Sequence, residues 1–530
     1  MSFSYFTIDQ ITPLLISCLL IIISIIIFKK NSTLSLVILF IATLCLGYFI
    51  ANLDHFLNLW DEQYHALVAK NLSKNPFVPS LYYDPVLDFN YKNWTANNIW
   101  LHKQPLFLWQ MAFFIKIFGP TELAIRIPSI IMHAIIPVFI YRIGKIAINN
   151  ISAYYGALLF AVAYFPLELI VGGYSTDHND IAFLFYVTAS FWSWFEYNKS
   201  KKTYWLILIG IFSGCAVLVK WLMGLLVYFI WIATRLFSDF HNLKKHKSYL
   251  PMLFSVVISL IVFLPWFIYI RLTFPKEALY EFSLNAKHFF EPIEGHTGNI
   301  WFHLTDGLRA LYGSGDAIPI LLLAGITLML IRSSKIKYRL FIASTILFVY
   351  TFFSFAATKM IGFTLIATPF IYLGLGTLIY EAINLITKKI KSTAITTLIS
   401  ITLPLVIAFS ALNLNRIHNY HTMMVSHNNR NRANELAEMA FIHSLNSKLP
   451  DSNYVIFNAQ ITVNGHIPIM YYTEFVAYNH IPTPEQIRRI REAGKKVAVV
   501  NLGNLPEYII SDDEVIILNF EDFHNISSPK

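Results

Sequence analysis

The sequence predicts a mainly α-helical, polytopic membrane protein of about twelve spans, followed by a small external α/β domain. Hydrophobic residues make up 56% of the 530 residues and charged residues only 13%, whereas a soluble domain contains about 25% charged residues. Separate apolar runs of about 15 to 21 residues recur along the chain, long enough to cross a bilayer as helices. Beyond residue 412 the composition becomes polar and the apolar runs shorten.

The predicted spans follow from these apolar runs. The first, Ile11–Phe28, is preceded by no Lys or Arg, so we interpret it as a retained span and not as a cleaved signal peptide. A shorter run, Leu106–Phe118, ends at Gly119-Pro120 and is predicted to be a re-entrant or interfacial helix. The other predicted spans are Leu34–Leu53, Ala124–Tyr141, Ile151–Val171, Ile181–Tyr197, Tyr204–Val219, Leu222–Leu236, Leu250–Ile270, Ala317–Ile331, Leu340–Ala356, Phe363–Tyr380 and Ser392–Leu412.

Charge and cysteine content narrow the functional class. The net charge is +9, but the basic residues collect in short loops between spans, which is typical of cytoplasmic loops and not of a nucleic-acid-binding surface. The three cysteines lie inside apolar runs, and their spacing is typical neither of a disulfide framework nor of a metal site. We therefore expect membrane lipids as surroundings and no nucleic-acid partner.

The basic loops also predict the orientation. Clusters of Lys and Arg follow alternate spans, at 29–30, 142–145, 199–202, 235–247 (with Lys244 and Lys245), 332–339 and 388–391. All of them fall on one side when the spans are counted in order, and we take that side as cytoplasmic. The other side receives the loop after Leu53, the segments Tyr174–Asp180 and Arg271–Asp316, Lys359, and the C-terminal part. These segments are expected on the external side of the membrane.

Residues 1–412 are predicted to form the transmembrane domain, and residues 413–530 a separate soluble α/β domain on the external face. Helices are expected at Arg432–Leu445 and around Pro484–Arg488. Short apolar runs between and after them are expected to be strands, at Tyr454–Phe457, Ile467–Phe475, Lys496–Leu502 and Val515–Phe520.

Carboxylates and cations are concentrated in the external segments. Asp61 and Glu62 follow the second span almost directly, and two adjacent carboxylates at that place require water or a polar pocket. Such a face suits a ligand with an anionic head and a lipid tail, because phosphate favours Lys or Arg and an alkyl chain favours a groove between helices. For transfer of a sugar from a lipid phosphate, Asp61 is the candidate general base, and Lys103 and Lys359 are candidate phosphate partners.

An ordered series of motifs resembles a known group of enzymes, the GT-C glycosyltransferases of the protein O-mannosyltransferase and lipid A aminoarabinose transferase group. The resemblance extends from Leu34 to Tyr380, and the order and common side of the motifs make it specific although each motif is weak alone. The series is Asp61-Glu62-x-Tyr64-His-Ala66, His102-Lys103-Gln104-Pro105-Leu106-x-x-Trp109, Phe118-Gly119-x-x-Glu122-x-Ala124-x-Arg126-x-Pro128-Ser129, Ser175-Thr176-Asp177, Gly214-x-Ala216-x-Leu218-x-Lys220, Leu264-Pro265-Trp266 and Thr358-Lys359.

The resemblance implies an inverting transfer from a polyprenyl-phosphate-linked sugar donor to a lipid, glycan or protein acceptor at the periplasmic face. It implies a catalytic acid at Asp61, a phosphate-contacting lysine at Lys103 and an acid of the second external loop at Asp177. Glu62 and Asp177 are expected to position sugar or acceptor groups, or to hold a divalent cation if one is used. The remaining substrate-binding candidates are His288, His296 and Lys359.

The sequence departs from the family pattern at three places. Gln104 replaces the first proline after the lysine, His288-Phe289 stands where the family has Arg-Phe, and Phe363 replaces a tyrosine. The last two changes bear on the lipid-phosphate site and not on the base.

Simpler structural roles also explain several of these residues. Asp61 and Glu62 suit a helix N-terminus, Lys103 suits an interfacial lysine, and the loop histidines suit exposed polar positions. For Asp180 we favour a helix N-cap, and for Lys220 a helix end near the membrane surface.

Two other functions remain open at this point. A transporter or lipid flippase would carry ionisable residues in mid-membrane and paired broken helices, whereas the charges here gather on one face. An oligosaccharide ligase or polymerase would use a polyprenyl diphosphate in place of a monophosphate.

Overall fold

The computed structural model describes residues 6–173, 177–238, 246–421 and 432–520. Four parallel strands lie in the C-terminal part: β1 (Tyr454–Phe457), β2 (Val476–Ala477), β3 (Lys496–Asn501) and β4 (Val515–Asn519). The α-helices are α1 (Ile8–Phe28), α2 (Ser32–Ala51), α3 (Asp61–Lys74), α4 (Pro105–Phe118), α5 (Glu122–Ala147), α6 (Asn150–Ala161), α7 (Tyr164–Ile170), α8 (Asp177–Ser200), α9 (Thr203–Lys220), α10 (Leu226–Ser238), α11 (Leu250–Thr273), α12 (Pro275–Lys287), α13 (Asp306–Tyr312), α14 (Ile318–Arg332), α15 (Ile336–Phe355), α16 (Thr368–Thr387), α17 (Thr393–Leu412), α18 (Leu414–His421), α19 (Arg432–Lys448), α20 (His466–Tyr472), α21 (Pro484–Glu492) and α22 (Glu507–Ile510).

The mainly helical membrane architecture predicted from the sequence is confirmed. Within the described ranges, eight helices are long and apolar enough to cross a membrane, or nine if the bent pair α6 and α7 forms one span. All the predicted spans coincide with helical segments. The count by length and composition is lower than the predicted one because α8 is too polar, α14 has only 15 residues, and residues Thr203–Ser238 count as one span.

The chain nevertheless turns back between α9 and α10. A 3₁₀ turn at Trp221–Leu225 separates the two helices, and Trp221 has a positive φ of 56°. The hydroxyl of Ser213 donates to the carbonyl of Gly224 at 2.8 Å, so residue 224 lies beside the middle of α9. The two apolar runs that the sequence shows here therefore form two separate helices.

Small and hydroxyl-bearing side chains hold the helices of the bundle together. Ser24 and Ser35 exchange hydrogen bonds between α1 and α2, and the hydroxyl of Tyr154 on α6 joins them at 2.7 Å. The backbones of α6 and α16 touch at Gly156 and Gly376, where a Cβ on Gly376 would lie 2.3 Å from the Gly156 nitrogen. Close backbone contact through small residues and shared hydroxyl groups is typical of helices packed in a membrane.

Loops predicted on opposite sides of the membrane lie at opposite ends of the bundle. At the basic end, Lys337 donates to the carbonyl of Asn198 at 3.1 Å, and the Ser334 amide donates to the carbonyl of Ala147 at 2.7 Å. At the other end, Lys70 of α3 donates to the carbonyl of Met470 in the C-terminal part at 2.9 Å. Lys244 and Lys245, counted in one basic cluster, lie outside the described residues.

The C-terminal part contains the predicted α/β unit. Its sheet has the strand order β2-β1-β3-β4, and α19 and α21 occur where helices were predicted. The predicted strand Ile467–Phe475 is wrong, because His466–Tyr472 forms helix α20 and only Val476–Ala477 pairs as β2. All residues from His466 to Tyr471 are buried, and a short run buried on every side has no periodicity that separates a helix from a strand.

The short run before Gly119 forms the predicted short helix. Helix α4 has 14 residues and ends at Gly119, whose φ is 79°. It packs between α3 and α5, at the end of the bundle that carries the external loops.

Candidate active site

The N-terminus of α3 places two acids inside the protein at the external end of the bundle. Asp61 is the first residue of α3 and is 8% exposed, and Glu62 is fully buried. The preceding residue, Trp60, has a φ of 70°, a conformation that costs a bulky residue free energy and is concentrated at functional sites. The partial positive charge of the helix N-terminus favours both carboxylates.

Glu62 is held by buried protein groups on all sides. Arg126 of α5 donates to its two carboxylate oxygens at 2.8 and 2.9 Å, and Nε2 of His178 lies 3.3 Å from Oε1. Burial raises the pKa of Glu62, but Arg126 and His178 outweigh this and hold the pKa below its ordinary value. A Cβ on Gly172 would lie 2.6 Å from the Glu62 carboxyl carbon. Glu62 therefore locks α3 to α5 and α8.

Arg126 is also bonded to the chain that leads into α3. Its guanidinium donates to the carbonyls of Ala51, Asp54 and Phe56 at 2.7 to 2.9 Å. Arg126 belongs to one of the sequence motifs, but the motif alone gave it no role. The structure shows that it fixes both ends of the segment between α2 and α3, which positions Asp61.

His65 and Asp177 join α3 to α8. Nδ1 of His65 lies 3.0 Å from Oδ1 of Asp177, and both side chains are fully buried. Burial, with the nearby charges of Asp61 and Glu62, raises the pKa of Asp177 to about 8, although His178 opposes this. Burial lowers the pKa of His65 to about 4. Both shifts favour the uncharged forms, an imidazole and a carboxylic acid, in this hydrogen bond.

Asp61 and Lys103 both lie close to this pair. The Asp61 charge raises the pKa of His65 and the Lys103 charge lowers it, so both charges act on the same imidazole. Ser175 and Thr176, which precede Asp177 in the motif, lie outside the described residues.

A second group of predicted residues lines a cavity of about 210 Å³, which we call the basic cavity. Lys103, Lys220 and His288 supply its basic groups, and Asn179 lies beside them. Its other walls are mainly apolar, with Phe183, Val219, Phe289, Phe352, Phe353 and Phe363. Burial together with the positive charges of Lys103 and Lys220 lowers the pKa of His288 to about 4. The cavity thus combines basic groups, of which Lys220 is paired with Asp180, with an apolar lining.

Lys220 lines this cavity, whereas the sequence predicted it only at a helix end near the membrane surface. Its ammonium pairs with Asp180 and lies 5.2 Å from the ring centre of Phe363. The lysine ends α9, as expected, but the turn at Trp221 directs it into the basic cavity. The motif Gly214-x-Ala216-x-Leu218-x-Lys220 was the available signal. Asp180, interpreted as an N-cap, is instead the partner of this lysine.

Two further candidates, His296 and Lys359, line a neighbouring cavity of about 280 Å³, which we call the loop cavity. Met360 and Gly362 line both cavities, so the two adjoin. The ammonium of Lys359 donates to the carbonyls of Phe353 and Ser354 at 3.1 and 2.7 Å, and to that of Ala356. It therefore caps the C-terminus of α15, while Thr358 beside it bonds Nδ1 of His288 at 3.1 Å.

Several buried polar atoms around these groups have no hydrogen-bond partner within the described part of the chain. They include both amide atoms of Gln63, Oδ1 of Asn179, Nε2 of His65, Oδ2 of Asp177 and Oε1 of Gln104. Unsatisfied buried polar atoms are costly, and their accumulation at one place indicates a site that a polar ligand or water completes. Among the described residues, no group of three or more His, Cys, Asp or Glu side chains has the arrangement of a metal site.

Part of the sequence matches known proteins. Residues 102–269 match the model of the dolichyl-phosphate-mannose-protein mannosyltransferase family. An uncharacterized protein of Aquifex aeolicus is 26% identical over 230 residues, which is 41% of this chain and 40% of that protein. The chain therefore spans less than half the length of this curated relative.

The whole fold resembles solved membrane enzymes. ArnT from Cupriavidus metallidurans bound to undecaprenyl phosphate aligns with a TM-score of 0.60 and 13% identity, over 92% of this chain and 90% of that one. The archaeal oligosaccharyltransferase AglB from Archaeoglobus fulgidus, in complex with an inhibitory peptide and a dolichol-phosphate, aligns with a TM-score of 0.55 and 11% identity. That alignment covers 87% of this chain and 65% of AglB. At these identities the likeness shows the fold, and the fold is that of the GT-C superfamily of membrane glycosyltransferases.

Proposed function

We propose that this multi-pass membrane protein, which has the GT-C fold, transfers a sugar from a polyprenyl-phosphate donor to a hydroxyl group of a lipid, glycan or protein acceptor. The transfer inverts the anomeric centre and takes place on the periplasmic face of a bacterial inner membrane. The orientation rests on the basic loops, which gather at the end of the bundle opposite to Asp61.

The observation that carries the proposal is the basic cavity. Lys103, Lys220 and His288 provide cationic or hydrogen-bonding groups for a phosphate, and the aromatic walls provide an apolar surface for the first isoprenoid units. Two solved structures with this fold contain a lipid phosphate, undecaprenyl phosphate in ArnT and dolichol-phosphate in AglB. A lipid phosphate is therefore the ligand that best suits the charge and shape of this cavity.

Asp61 is the proposed general base. Its carboxylate accepts the proton of the acceptor hydroxyl while the acceptor oxygen forms a bond to the anomeric carbon. The bond between the anomeric carbon and the phosphate oxygen breaks on the opposite face of the sugar, and the electron pair leaves with the phosphate. Lys103 and Lys220 stabilise the negative charge that develops on the departing phosphate.

The other residues around Asp61 are assigned supporting roles. Glu62 holds the first turn of α3 through Arg126, and Asp177 holds His65 beside Asp61. The unpartnered atoms of Gln63 and Asn179 are proposed to bond sugar hydroxyls. His296 is proposed to contact further polar parts of the donor from the loop cavity, which Lys359 shapes by capping α15.

The donor site is tested by binding of undecaprenyl phosphate to the purified protein, measured by native mass spectrometry. Lys103→Met and Lys220→Met should each weaken binding roughly tenfold or more, because a hydrogen bond to a charged group contributes about 1.5–3 kcal/mol. Lys287→Met is the matched control, since this exposed lysine lies at the end of α12 outside the cavity. Equal binding by all four proteins would contradict the proposed donor site.

The reaction is tested in cells that lack the wild-type gene and carry either the wild-type chain or Asp61→Asn. Mass spectrometry of the lipid, glycan and protein fractions should find one sugar increment that only the wild-type chain supplies. In a purified assay, loss of the base should lower the transfer rate about 10²–10⁴-fold, while undecaprenyl phosphate still binds. Full transfer by Asp61→Asn would refute the role of Asp61. Donors with a monophosphate and a diphosphate, assayed side by side, separate this reaction from that of an oligosaccharide ligase.

A further inference from the structure

A separate cavity of about 500 Å³ lies between the first external loop and the C-terminal α/β unit; we call it the interdomain cavity. Tyr64, Tyr82 and Phe89 line it from α3 and the loop after it, and Asn464, His466 and Tyr478 line it from the C-terminal unit. Its volume lies within the range of about 300–1,000 Å³ that is typical of small-molecule sites. Neither half of the chain forms this cavity without the other.

The walls of the interdomain cavity carry unused hydrogen-bonding groups. Nδ2 of Asn464 and Nδ1 of His466 are buried and have no partner among the described residues, and these side chains are only 5% and 6% exposed. The Tyr64 hydroxyl makes only long hydrogen bonds of 3.4 Å, to the Thr95 carbonyl and to Asn464. Amide, imidazole and hydroxyl groups both donate and accept, which is what a ligand with several hydroxyl groups requires.

The charged groups of the interdomain cavity are already neutralised by the protein. Asp88 and Arg489 both line it and form a bidentate pair at 2.9 and 3.2 Å. Burial lowers the pKa of His466 to about 4, so its imidazole is uncharged near neutral pH. These pairings favour a neutral ligand over a phosphorylated or ionised one.

Aromatic rings form one face of the cavity and continue toward Asp61. Tyr82 stacks on Tyr478 at 5.2 Å with 18° between the ring planes. The electron-rich face of such rings attracts the weakly positive C–H groups of a sugar ring. Tyr64 lines the cavity one helical turn after Asp61, and its pKa is raised by burial and also by the Asp61 charge. Tyr64 in turn contacts Trp94, which stacks on His102 beside Lys103.

We propose that the interdomain cavity binds the neutral saccharide part of the acceptor, and that the acceptor hydroxyl reaches Asp61 past Tyr64. The C-terminal unit would then select the acceptor, while the basic cavity binds the donor. This inference rests on the proposed function, because only a transferase has an acceptor. Saccharide binding itself can be measured without transfer.

The test measures binding directly, by saturation-transfer difference NMR on the full chain in nanodiscs of phosphatidylethanolamine and phosphatidylglycerol. The probes are maltotriose, mannotriose and chitotriose, with a serine- and threonine-containing hexapeptide as an alternative ligand. Ala96→Trp introduces a large side chain at an exposed position that lines the cavity and removes no native contact of a larger side chain. Ala493→Trp is the matched control, at an exposed residue after α21 that does not line the cavity.

At least one trisaccharide should bind to the wild type and to Ala493→Trp, and Ala96→Trp should weaken that binding roughly tenfold or more because the cavity is filled. Binding should persist in Asp61→Asn and in Lys103→Met, which separates this site from the donor site. Absence of trisaccharide binding to the wild type, unchanged binding in Ala96→Trp, or binding of the peptide alone would overturn the proposal. If one of those results is found while undecaprenyl phosphate binding is weakened in Lys103→Met and unchanged in Ala96→Trp, the donor site remains supported and this inference alone is refuted.

Discussion

Nδ1 of His65 and Oδ1 of Asp177 lie 3.0 Å apart in a fully buried hydrogen bond that joins the N-terminal parts of α3 and α8. The two residues are far apart in sequence, and they come from the first and second external segments. Their bond brings both acidic helix starts to one place, so that Asp61 and Glu62 share an environment with Asp177 to Asp180.

The titration of this pair predicts how stability depends on pH. The pKa of Asp177 is raised by burial from about 4 in the unfolded chain to about 8 in the folded one. Folded protein therefore binds a proton that unfolded protein has lost, and stability falls as the pH rises toward 8. His65, whose pKa is lowered to about 4, opposes this only below the ordinary histidine pKa of about 6.5. Glu438, whose pKa burial raises to about 8, and His421, whose pKa burial lowers but Asp54 and Glu168 together raise to about 9, act in the same direction. The difference between the wild type and Asp177→Asn therefore isolates the contribution of Asp177.

The measurement is the midpoint of thermal unfolding in detergent between pH 6.5 and 8.5. The wild type should lose stability across this range, and Asp177→Asn should lose less, because an amide does not titrate. A wild-type curve parallel to that of Asp177→Asn would show that Asp177 is ionised in the folded protein.

Removal of Arg126 should destabilise the fold strongly. Arg126→Met leaves the Glu62 carboxylate buried without its partner and also deprives the carbonyls of Ala51, Asp54 and Phe56 of a donor. Breaking a buried ion pair in this way costs about 3–5 kcal/mol, and denaturant or thermal unfolding measures it. Arg332→Met is the control, because its pair with Glu381 lies at the surface and should change the midpoint little. Similar midpoints for the two variants would argue against a structural role of the Glu62–Arg126 pair.

Gly172 should tolerate no side chain. Its φ is 73°, and a Cβ there would lie 2.6 to 2.9 Å from three atoms of Glu62. Gly172→Ala should therefore push Glu62 away from Arg126, lowering the unfolding midpoint and the transfer rate together. Gly494→Ala provides the comparison, since Gly494 has a similar φ of 72° but a Cβ there would meet no atom of the described residues within 4 Å. An equal loss in Gly494→Ala would mean that backbone conformation alone, and not the contact with Glu62, makes Gly172 necessary.

Substitution by Met should affect the binding of undecaprenyl phosphate differently at Lys359 and at Lys220. Lys359→Met removes the group that caps the carbonyls at the end of α15, so it should lower thermal stability and leave the affinity for undecaprenyl phosphate close to that of the wild type. Lys220→Met should weaken that affinity, because Lys220 faces the basic cavity, and it should also lower stability, because it removes the ion-pair partner of the buried Asp180. The two properties are measured on the same samples, by thermal unfolding and native mass spectrometry. Weaker lipid binding in Lys359→Met at unchanged stability would restore the role that the motif Thr358-Lys359 implied.

The fold could be predicted from the sequence because its main signal is local. An apolar run such as Leu34–Leu53 must satisfy its backbone hydrogen bonds internally in lipid, and a helix does this without any tertiary contact. The strand predicted at Ile467–Phe475 was wrong for the converse reason. The residues from His466 to Tyr471 are buried on every side, so only their packing against α3 and α19 shows that they form a helix.

The candidate site could be predicted only in part. The sequence indicated Asp61, Lys103 and Asp177 through adjacent charges and ordered motifs. It could not show that Lys220 joins Lys103 in one cavity, since this depends on the turn at Trp221. It indicated Lys359 as a phosphate partner and could not show that the ammonium caps the carbonyls at the end of α15, because that contact depends on how the chain folds after the helix.

By itself, the sequence determined that this chain crosses a membrane many times and carries its acids and external lysines at one end. Hydrophobicity and the distribution of basic loops are properties of short segments, so the spans and their orientation can be predicted from them without the tertiary structure. Tertiary structure alone decided which of those charges meet. The Glu62 carboxylate is bonded to Arg126, Asp177 is bonded to His65, and the Lys359 ammonium is bonded to carbonyls at the end of α15. Lys103 and Lys220, in contrast, both line the basic cavity. Such pairings depend on distances between helices far apart in sequence, which no local pattern records.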